Sequence, residues 1–194
     1  MDKDMEEIDQ GGRGLARREF VRVVRDGMVI LMLPQVLGCR LFRSDARRPE
    51  SLAQDDPRSS YHLMFLTTEE AATVQAVTAR IIPSDETAGA REARVVHFID
   101  HMLATEYAAD QPIYREGLRN LNELTETRFH RSFSDLPEVD QDALLAQMER
   151  REIENWKEAG DFFLSVRMHT IEGMFSDPKY CGNAGRVGWA LLGV

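Results

Sequence analysis

Apolar residues recur at three- and four-residue spacing from about residue 63 to residue 174, which is the period of amphipathic α-helices. Thr67 and Glu70 form a T-x-x-E capping box that predicts the start of the first helix, and Pro83 predicts its end after Ile82. Four further helices are predicted at about residues 90–107, 112–124, 135–148 and 156–174. The positions expected to face the core are Val74, Val77, Ile81, Val95, Phe98, Ile99, Met102, Leu103, Tyr114, Leu118, Leu121, Leu124, Val139, Leu144, Leu145, Met148, Phe162, Phe163, Val166, Thr170 and Met174.

No stretch alternates with the two-residue period of a strand for long enough to compete with these helices. The pattern therefore predicts an all-α fold, a compact bundle of about five helices with an irregular C-terminal segment. Three regions follow from the same pattern: an export-like or anchor segment at residues 1–39, a polar linker at residues 40–62, and a helical domain at residues 63–194.

The N-terminal region carries a candidate export signal. Arg17 and Arg18 are followed by Phe20 and then by a short apolar stretch at residues 27–38, which resembles a twin-arginine signal. Residues 1–10 are acidic, whereas the leading part of such a signal is normally basic. An ordinary amphipathic helix or an uncleaved anchor that contains both arginines by chance is the alternative. Export by this route predicts a location in the periplasm or on the periplasmic face of the inner membrane.

Cys39 closes the apolar stretch. The sequence Val36-Leu37-Gly38-Cys39 resembles a bacterial lipobox, whose cysteine becomes the acylated N-terminus, although Leu37 occupies a position that usually holds a small residue. No A-x-A cleavage site follows the stretch. Cleavage, lipidation at Cys39 and retention of the leader all stay open.

Composition narrows the classes of function. The chain has 194 residues, with 24 Lys+Arg against 33 Asp+Glu, and a formal net charge of -9. This acidity argues against a nucleic-acid partner, because phosphate contacts need a basic surface. Two cysteines exclude a disulfide-rich scaffold and a zinc site built on four thiolates.

Catalytic motifs are missing from the sequence. It contains no G-x-G-x-x-G after a strand, no Walker loop, no G-x-S-x-G, no H-E-x-x-H and no C-x-x-C-H. We therefore predict no catalytic residue, no cofactor and no metal in this chain. The alternative is a metal site at His97, Asp100 and His101, where two imidazoles at i and i+4 reach one side of a helix.

The last twenty residues form a candidate subunit interface. Glycines permit close backbone approach, and aromatic residues commonly anchor interfaces. The candidate interface residues are Phe175, Asp177, Pro178, Tyr180, Cys181, Gly182, Asn183 and Trp189. The alternative is a tail that folds back on its own core.

This F-S-D-P-x-Y-x-G-N…W…L-G ending resembles the gluconate 2-dehydrogenase subunit 3 family, the small subunits of membrane-bound flavin-dependent sugar and sugar-acid dehydrogenases. The similarity continues through Leu66-Thr67-Thr68-Glu69-Glu70, Ile81-Ile82-Pro83-Ser84-Asp85, Phe98-Ile99-Asp100 and Gly117-Leu118. It covers residues 66–193.

The resemblance implies a non-catalytic small subunit that stabilises a GMC-type dehydrogenase subunit and escorts it for export. FAD is then expected in the large flavoprotein subunit, with a cytochrome c subunit as a further partner and membrane association through a partner or the N-terminal segment. Two alternatives are a stand-alone exported metal-dependent enzyme using His97, Asp100 and His101, and a lipoprotein adaptor without a dehydrogenase partner.

Cys181 departs from the family pattern, since many members have glycine in its place. The cysteine indicates that the backbone does not require glycine there, and it places a thiol in the candidate interface. An intermolecular disulfide with the large subunit is one hypothesis for Cys181, and a buried free thiol is the other.

Overall fold

The computed structural model describes residues 61–194, which fold into six α-helices with no β-strand in that range. The helices are α1 (Thr68–Ile81), α2 (Val95–Ala104), α3 (Gln111–Phe129), α4 (Glu138–Glu149), α5 (Ala159–Phe175) and α6 (Val187–Leu192). The predicted all-α bundle is confirmed. Arg17, Arg18, Phe20 and Cys39 lie outside the described residues, as do the N-terminal segment and almost all of the linker.

Helix α1 begins as its sequence predicts. The Thr67 hydroxyl accepts a hydrogen bond from the Glu70 backbone N–H at 3.2 Å, and the Glu70 carboxylate accepts one from the Thr67 N–H at 2.8 Å. These two bonds satisfy donors that a helix start leaves unpaired. The helix ends at Ile81, directly before the Ile82-Pro83 turn.

Helix α2 begins later than its apolar spacing suggests. Residues 90–94 form turns, and Arg94 has a left-handed backbone (φ 56°, ψ 40°), which interrupts any helix that started at Ala90. The Ala90 N–H instead donates to the Ile82 carbonyl oxygen at 2.9 Å, so this turn is tied to the end of α1.

Helix α5 is the centre of the bundle because it contacts each of the other five helices. Gly117 of α3 lets the Phe162 ring of α5 pack directly on the α3 backbone, since a Cβ at this glycine would overlap the ring. Tyr114 and Phe162 meet edge to face at the same contact, with centroids 5.9 Å apart. The predicted core positions of α2 and α5 are all buried.

Two further features of the chain differ from the sequence prediction. Val139 is 71% exposed, because the buried face of α4 is carried by Gln141, Leu144 and Met148, and Val139 lies two residues before that face begins. The C-terminal segment is also less irregular than expected, since residues 187–192 form α6. No helix within residues 61–194 combines the length and the apolar character needed to cross a membrane.

Candidate interaction surface

Asp100 holds the segment that leads into the bundle, residues 61–66, which we call the pre-helix segment. The carboxylate lies on α2 and has no exposed surface. One oxygen accepts from the Tyr61 hydroxyl at 2.8 Å and the Met64 N–H at 2.7 Å, and the other accepts from the backbone N–H groups of Phe65 and Leu66 at 3.0 and 2.7 Å. Charge-assisted bonds of this kind are about twice as strong as neutral ones, so Asp100 fixes the position at which the chain enters the bundle.

This geometry corrects the alternative of a metal site on α2. Both oxygens of Asp100 already accept two hydrogen bonds each, which leaves no lone pair for a cation shared with His97 and His101. Residues 61–194 bring together no group of three histidine, cysteine or acidic side chains in a metal-binding arrangement. Asp100 is a structural residue that binds backbone.

His97 packs against the same segment. Its ring stacks on Tyr61 with centroids 4.2 Å apart and planes 8° from parallel, and the Tyr61 hydroxyl also lies 3.1 Å from the His97 carbonyl oxygen. Burial lowers the pKa of His97, and the nearby Arg94 charge lowers it further. Burial also raises the pKa of Tyr61, with the Asp100 carboxylate as the second cause. Both rings are therefore neutral near pH 7.

Asn183 organises the chain between α5 and the start of α6, residues 176–188, which we call the C-terminal turn. It is fully buried, and its amide donates to the Ser176 carbonyl oxygen at 2.9 Å while its side-chain oxygen accepts from the Gly188 N–H at 2.8 Å. Its own N–H donates to the Gly173 carbonyl oxygen at 2.8 Å. Three bonds thus join the end of α5 to the start of α6.

Two glycines permit this close packing. A Cβ at Gly182 would overlap the Gly173 carbonyl oxygen, and a Cβ at Gly188 would overlap that of Met174. Trp189 completes the contact by donating from Nε1 to the Phe175 carbonyl oxygen at 2.8 Å. The tail therefore folds back on its own core.

The candidate interface residues fall into two groups. Phe175, Gly182 and Asn183 are buried within this chain, where the intramolecular contacts above account for their placement. The others are accessible to different extents: Asp177 and Tyr180 are exposed, and Pro178, Cys181 and Trp189 are partly exposed. A partner interface on this turn remains a prediction, and any such interface would involve the second group.

A cavity of about 350 Å³ lies where the pre-helix segment, the start of α2 and the C-terminal turn meet. Its lining residues are Tyr61, Arg94, His97, Pro178, Cys181, Gly182, Ala184 and Gly185. The last twenty residues were predicted from sequence as a candidate subunit interface, whereas Tyr61 was not singled out. Tyr61 carries no local signal, since its partners lie 36 and 39 residues further along the chain.

Cys181 adopts a left-handed backbone (φ 71°, ψ 0°), the region that favours glycine. This corrects the sequence inference that the position makes no backbone demand for glycine. The thiol is partly exposed and forms no disulfide with any residue of 61–194. Burial, followed by the Asp100 charge, raises its pKa, which lowers the thiolate fraction available for exchange. The intermolecular disulfide stays a prediction.

Replacing Cys181 with glycine is expected to raise the free energy of unfolding by about 0.5–1 kcal/mol, because relief of left-handed strain exceeds the extra entropy of an unfolded glycine. Urea unfolding followed by circular dichroism measures the change. Cys181→Ser is the control, since it removes the thiol and keeps the strained backbone. A glycine variant no more stable than the serine variant would contradict the strain argument.

A second polar cluster joins α3 to α5. Nδ1 of His169 lies 2.9 Å from the Tyr114 hydroxyl, Nε2 lies 3.5 Å from the Asp110 carboxylate, and the ring stacks on Tyr107 with centroids 4.7 Å apart. Tyr107 in turn donates to Glu172 at 3.0 Å. Burial lowers the pKa of His169, although Glu172 and Asp110 favour its charged form. A neutral ring can accept from the buried Tyr114 hydroxyl, and a protonated ring cannot.

Acidification is expected to destabilise the protein through His169. Because its folded pKa lies below the ordinary value of 6.5, the unfolded chain takes up a proton first, and stability falls as the pH drops below about 6.5. The limiting slope for one proton is about 1.4 kcal/mol per pH unit. His169→Gln should make the fall in stability between pH 7 and pH 5 less steep, and His97, whose pKa burial also lowers, contributes to the slope that is left. Equal profiles for the wild type and His169→Gln would exclude this origin.

Comparison with known proteins identifies the family. The model of the family described as Gluconate 2-dehydrogenase subunit 3 matches residues 68–194, well over half of the chain. The searches of curated proteins and of solved structures found no match to the chain. The matched range begins with the first residue of α1 and includes Asp100, Gly117, Asn183 and Trp189. The chain belongs to the gluconate 2-dehydrogenase subunit 3 family.

Proposed function

We propose that this protein is the non-catalytic small subunit of a flavin-dependent sugar or sugar-acid dehydrogenase, which stabilises the large catalytic subunit and escorts it for export. The observation that carries the proposal is the family match over residues 68–194, since the family is one of dehydrogenase subunits. In this proposal, FAD and the oxidation of substrate belong to the large flavoprotein of GMC type, and a cytochrome c subunit passes the electrons on.

The polar groups of the bundle are consistent with an accessory role. Asp100 binds the pre-helix segment, Asn183 binds the C-terminal turn, and His169 is held by Tyr114 and Asp110. Each of these buried groups has a partner within the chain, so each contributes to the shape of the subunit. A scaffold held in this way can present a rigid surface to a partner protein.

Export is the second part of the proposal. The sequence Arg17-Arg18-Glu19-Phe20 resembles a twin-arginine signal. A leader on the small subunit can direct a folded complex to the periplasmic face of the inner membrane, and the large subunit then needs no signal of its own.

Substituting lysine for both Arg17 and Arg18 is expected to reduce the periplasmic amount of the large subunit at least tenfold while its cytoplasmic amount rises. The measurement is fractionation of cells that co-express the full-length chain with a flavoprotein dehydrogenase from the same genome. Arg47→Lys with Arg48→Lys is the control, because it changes a second arginine pair outside the signal.

A strain that lacks the small subunit completes this experiment. The large subunit should then be less soluble and should stay in the cytoplasm. A large subunit that is equally soluble, active and exported without the small subunit would refute the escort function. Capture of a partner that carries no flavin would favour the lipoprotein adaptor.

A further inference from the structure

Helix α5 carries an apolar stripe on the side that faces away from the bundle. Leu164 is 43% exposed and Met168 is 48% exposed. Ile171 continues the stripe and is partly exposed. The spacing of i, i+4 and i+7 places the three side chains on one face of the helix, about 10 Å from end to end. We call this set the α5 stripe.

The core does not use this face. The buried residues of α5, which include Phe162, Val166 and Gly173, lie on the opposite side and supply its contacts with the other helices. Leu164 and Met168 are thus two large apolar side chains on adjacent turns that the bundle leaves in solvent. Apolar residues grouped in this way, with polar residues beside them, are typical of interaction sites.

Charged residues border the α5 stripe on both sides. Asp161 and Glu172 follow one side of the helix, and Arg167 follows the other. Arg167 is paired with Glu149 of α4 at 2.6 Å. Asp161 is likewise paired, with Arg151 at 2.6 Å, whereas Glu172 accepts a hydrogen bond from the neutral Tyr107 hydroxyl and so keeps a negative charge beside the stripe.

The stripe ends close to Trp189, a residue of the predicted C-terminal interface. Phe175 lies four residues after Ile171, and Trp189 donates to its carbonyl oxygen. Trp189 is partly exposed at this end of α5. Phe175 itself is buried, so Trp189 is a separate accessible aromatic residue near the C-terminal end of the stripe.

We propose that the α5 stripe, together with Trp189, is the surface by which this subunit docks in an apolar groove of the large dehydrogenase subunit. This inference rests on the proposed function, and the family supplies the reason for a partner, since its members are subunits. A single helix with anchors at i, i+4 and i+7 matches the helix-in-groove mode of recognition. Positive charge on the lip of the groove next to Glu172 would complement the charge that this carboxylate keeps.

A second copy of this chain fits the stripe less well. Stable interfaces bury about 1,200–2,000 Å² in total, and two convex stripes in contact would bury only a small part of that area. A groove that encloses the helix can also cover its flanks and Trp189. The concave partner is therefore the one that the shape of this surface favours.

Methionine oxidation tests the inference without any substitution. Met168 and Met64 are both well exposed, at 48% and 59%, but Met64 belongs to the pre-helix segment. Mild peroxide treatment of the free chain should oxidise both residues. In the purified complex, Met168 should be oxidised at least tenfold more slowly while Met64 keeps its rate. Protection of Met64 with Met168 still reactive would overturn the inference in favour of the face around the cavity.

Substitution gives an independent readout. The full-length double variant Leu164→Glu, Met168→Glu, co-expressed with the large subunit, should capture at least tenfold less of it than the wild type. Val139→Glu is the matched control, because Val139 is 71% exposed on α4 and lies outside the stripe. Unchanged melting temperatures would show that the variants fold.

The outcomes separate this inference from the proposed function. Normal capture by the double variant would overturn the α5 surface and leave the proposed function intact. A wild-type chain that captures no flavoprotein would overturn both. A homodimer of the isolated chain that the double variant dissociates would assign the stripe to self-association and so overturn the assignment to the large subunit.

Discussion

Replacing Asp100 with alanine is expected to lower the free energy of unfolding by about 3 kcal/mol or more. The carboxylate is fully buried and accepts four hydrogen bonds, so its removal leaves three backbone N–H groups without their partner, while the Tyr61 hydroxyl keeps the His97 carbonyl oxygen as an acceptor. Unpaired buried donors cost about 1–3 kcal/mol each, and water that reaches the partly exposed segment offsets part of this loss. Urea unfolding of the full chain measures the effect.

The Asp100 variant should also release the pre-helix segment. Hydrogen exchange at the amides of Met64, Phe65 and Leu66 should become much faster, since these N–H groups are the ones that the carboxylate holds. Asp142→Ala is the control, because Asp142 is half exposed in a surface pair with Arg80 and should cost no more than about 1 kcal/mol. Unchanged exchange at these three amides in Asp100→Ala would refute the structural role.

Replacing Asn183 with glycine is expected to cost about 2 kcal/mol. Glycine accepts the left-handed backbone at this position (φ 45°), so the loss comes from the two side-chain hydrogen bonds to Ser176 and Gly188. Asn183→Ala should cost about 1 kcal/mol more, because alanine adds left-handed strain. Thermal and urea unfolding of the two variants separate the bonding effect from the backbone effect.

Asn155 provides the matched control for this series. It is exposed and also left-handed (φ 63°), so Asn155→Gly makes the same substitution in the same backbone region without removing a buried side chain. We expect a change within about 0.5 kcal/mol. Equal losses for Asn155→Gly and Asn183→Gly would show that the C-terminal turn does not depend on the Asn183 side chain.

Local signals in the sequence account for most of the fold. The Thr67–Glu70 capping box, the Ile82-Pro83 turn and the apolar stripes of α2 and α5 each depend on residues a few positions apart, and each is confirmed. The predicted start of α2 was wrong, because one residue with a left-handed backbone, Arg94, interrupts an apolar spacing that favours a helix. Sequence periodicity does not report a single backbone angle.

The candidate site depends on contacts that local spacing does not contain. From the sequence, Asp100 was a candidate metal ligand beside two histidines on a helix. Its hydrogen-bond donors in the structure are instead 34 to 39 residues away along the chain. The sequence was interpreted to mean that position 181 does not require glycine. Its φ of 71° nevertheless lies in the left-handed region, because the turn around Asn183 sets the backbone there. The C-terminal motif lies within the range that the family model matches, and the structure adds a reason for its glycines and its asparagine, which is close packing against α5.

Capture of the full-length chain from its native host, followed by a visible absorption spectrum, tests the central claim most directly. The proposed function predicts that a large subunit elutes with this chain, shows the spectrum of oxidised flavin and loses that colour when sugar or sugar acid is added. Recovery of the chain without a flavoprotein, under conditions that keep membrane complexes intact, would contradict it.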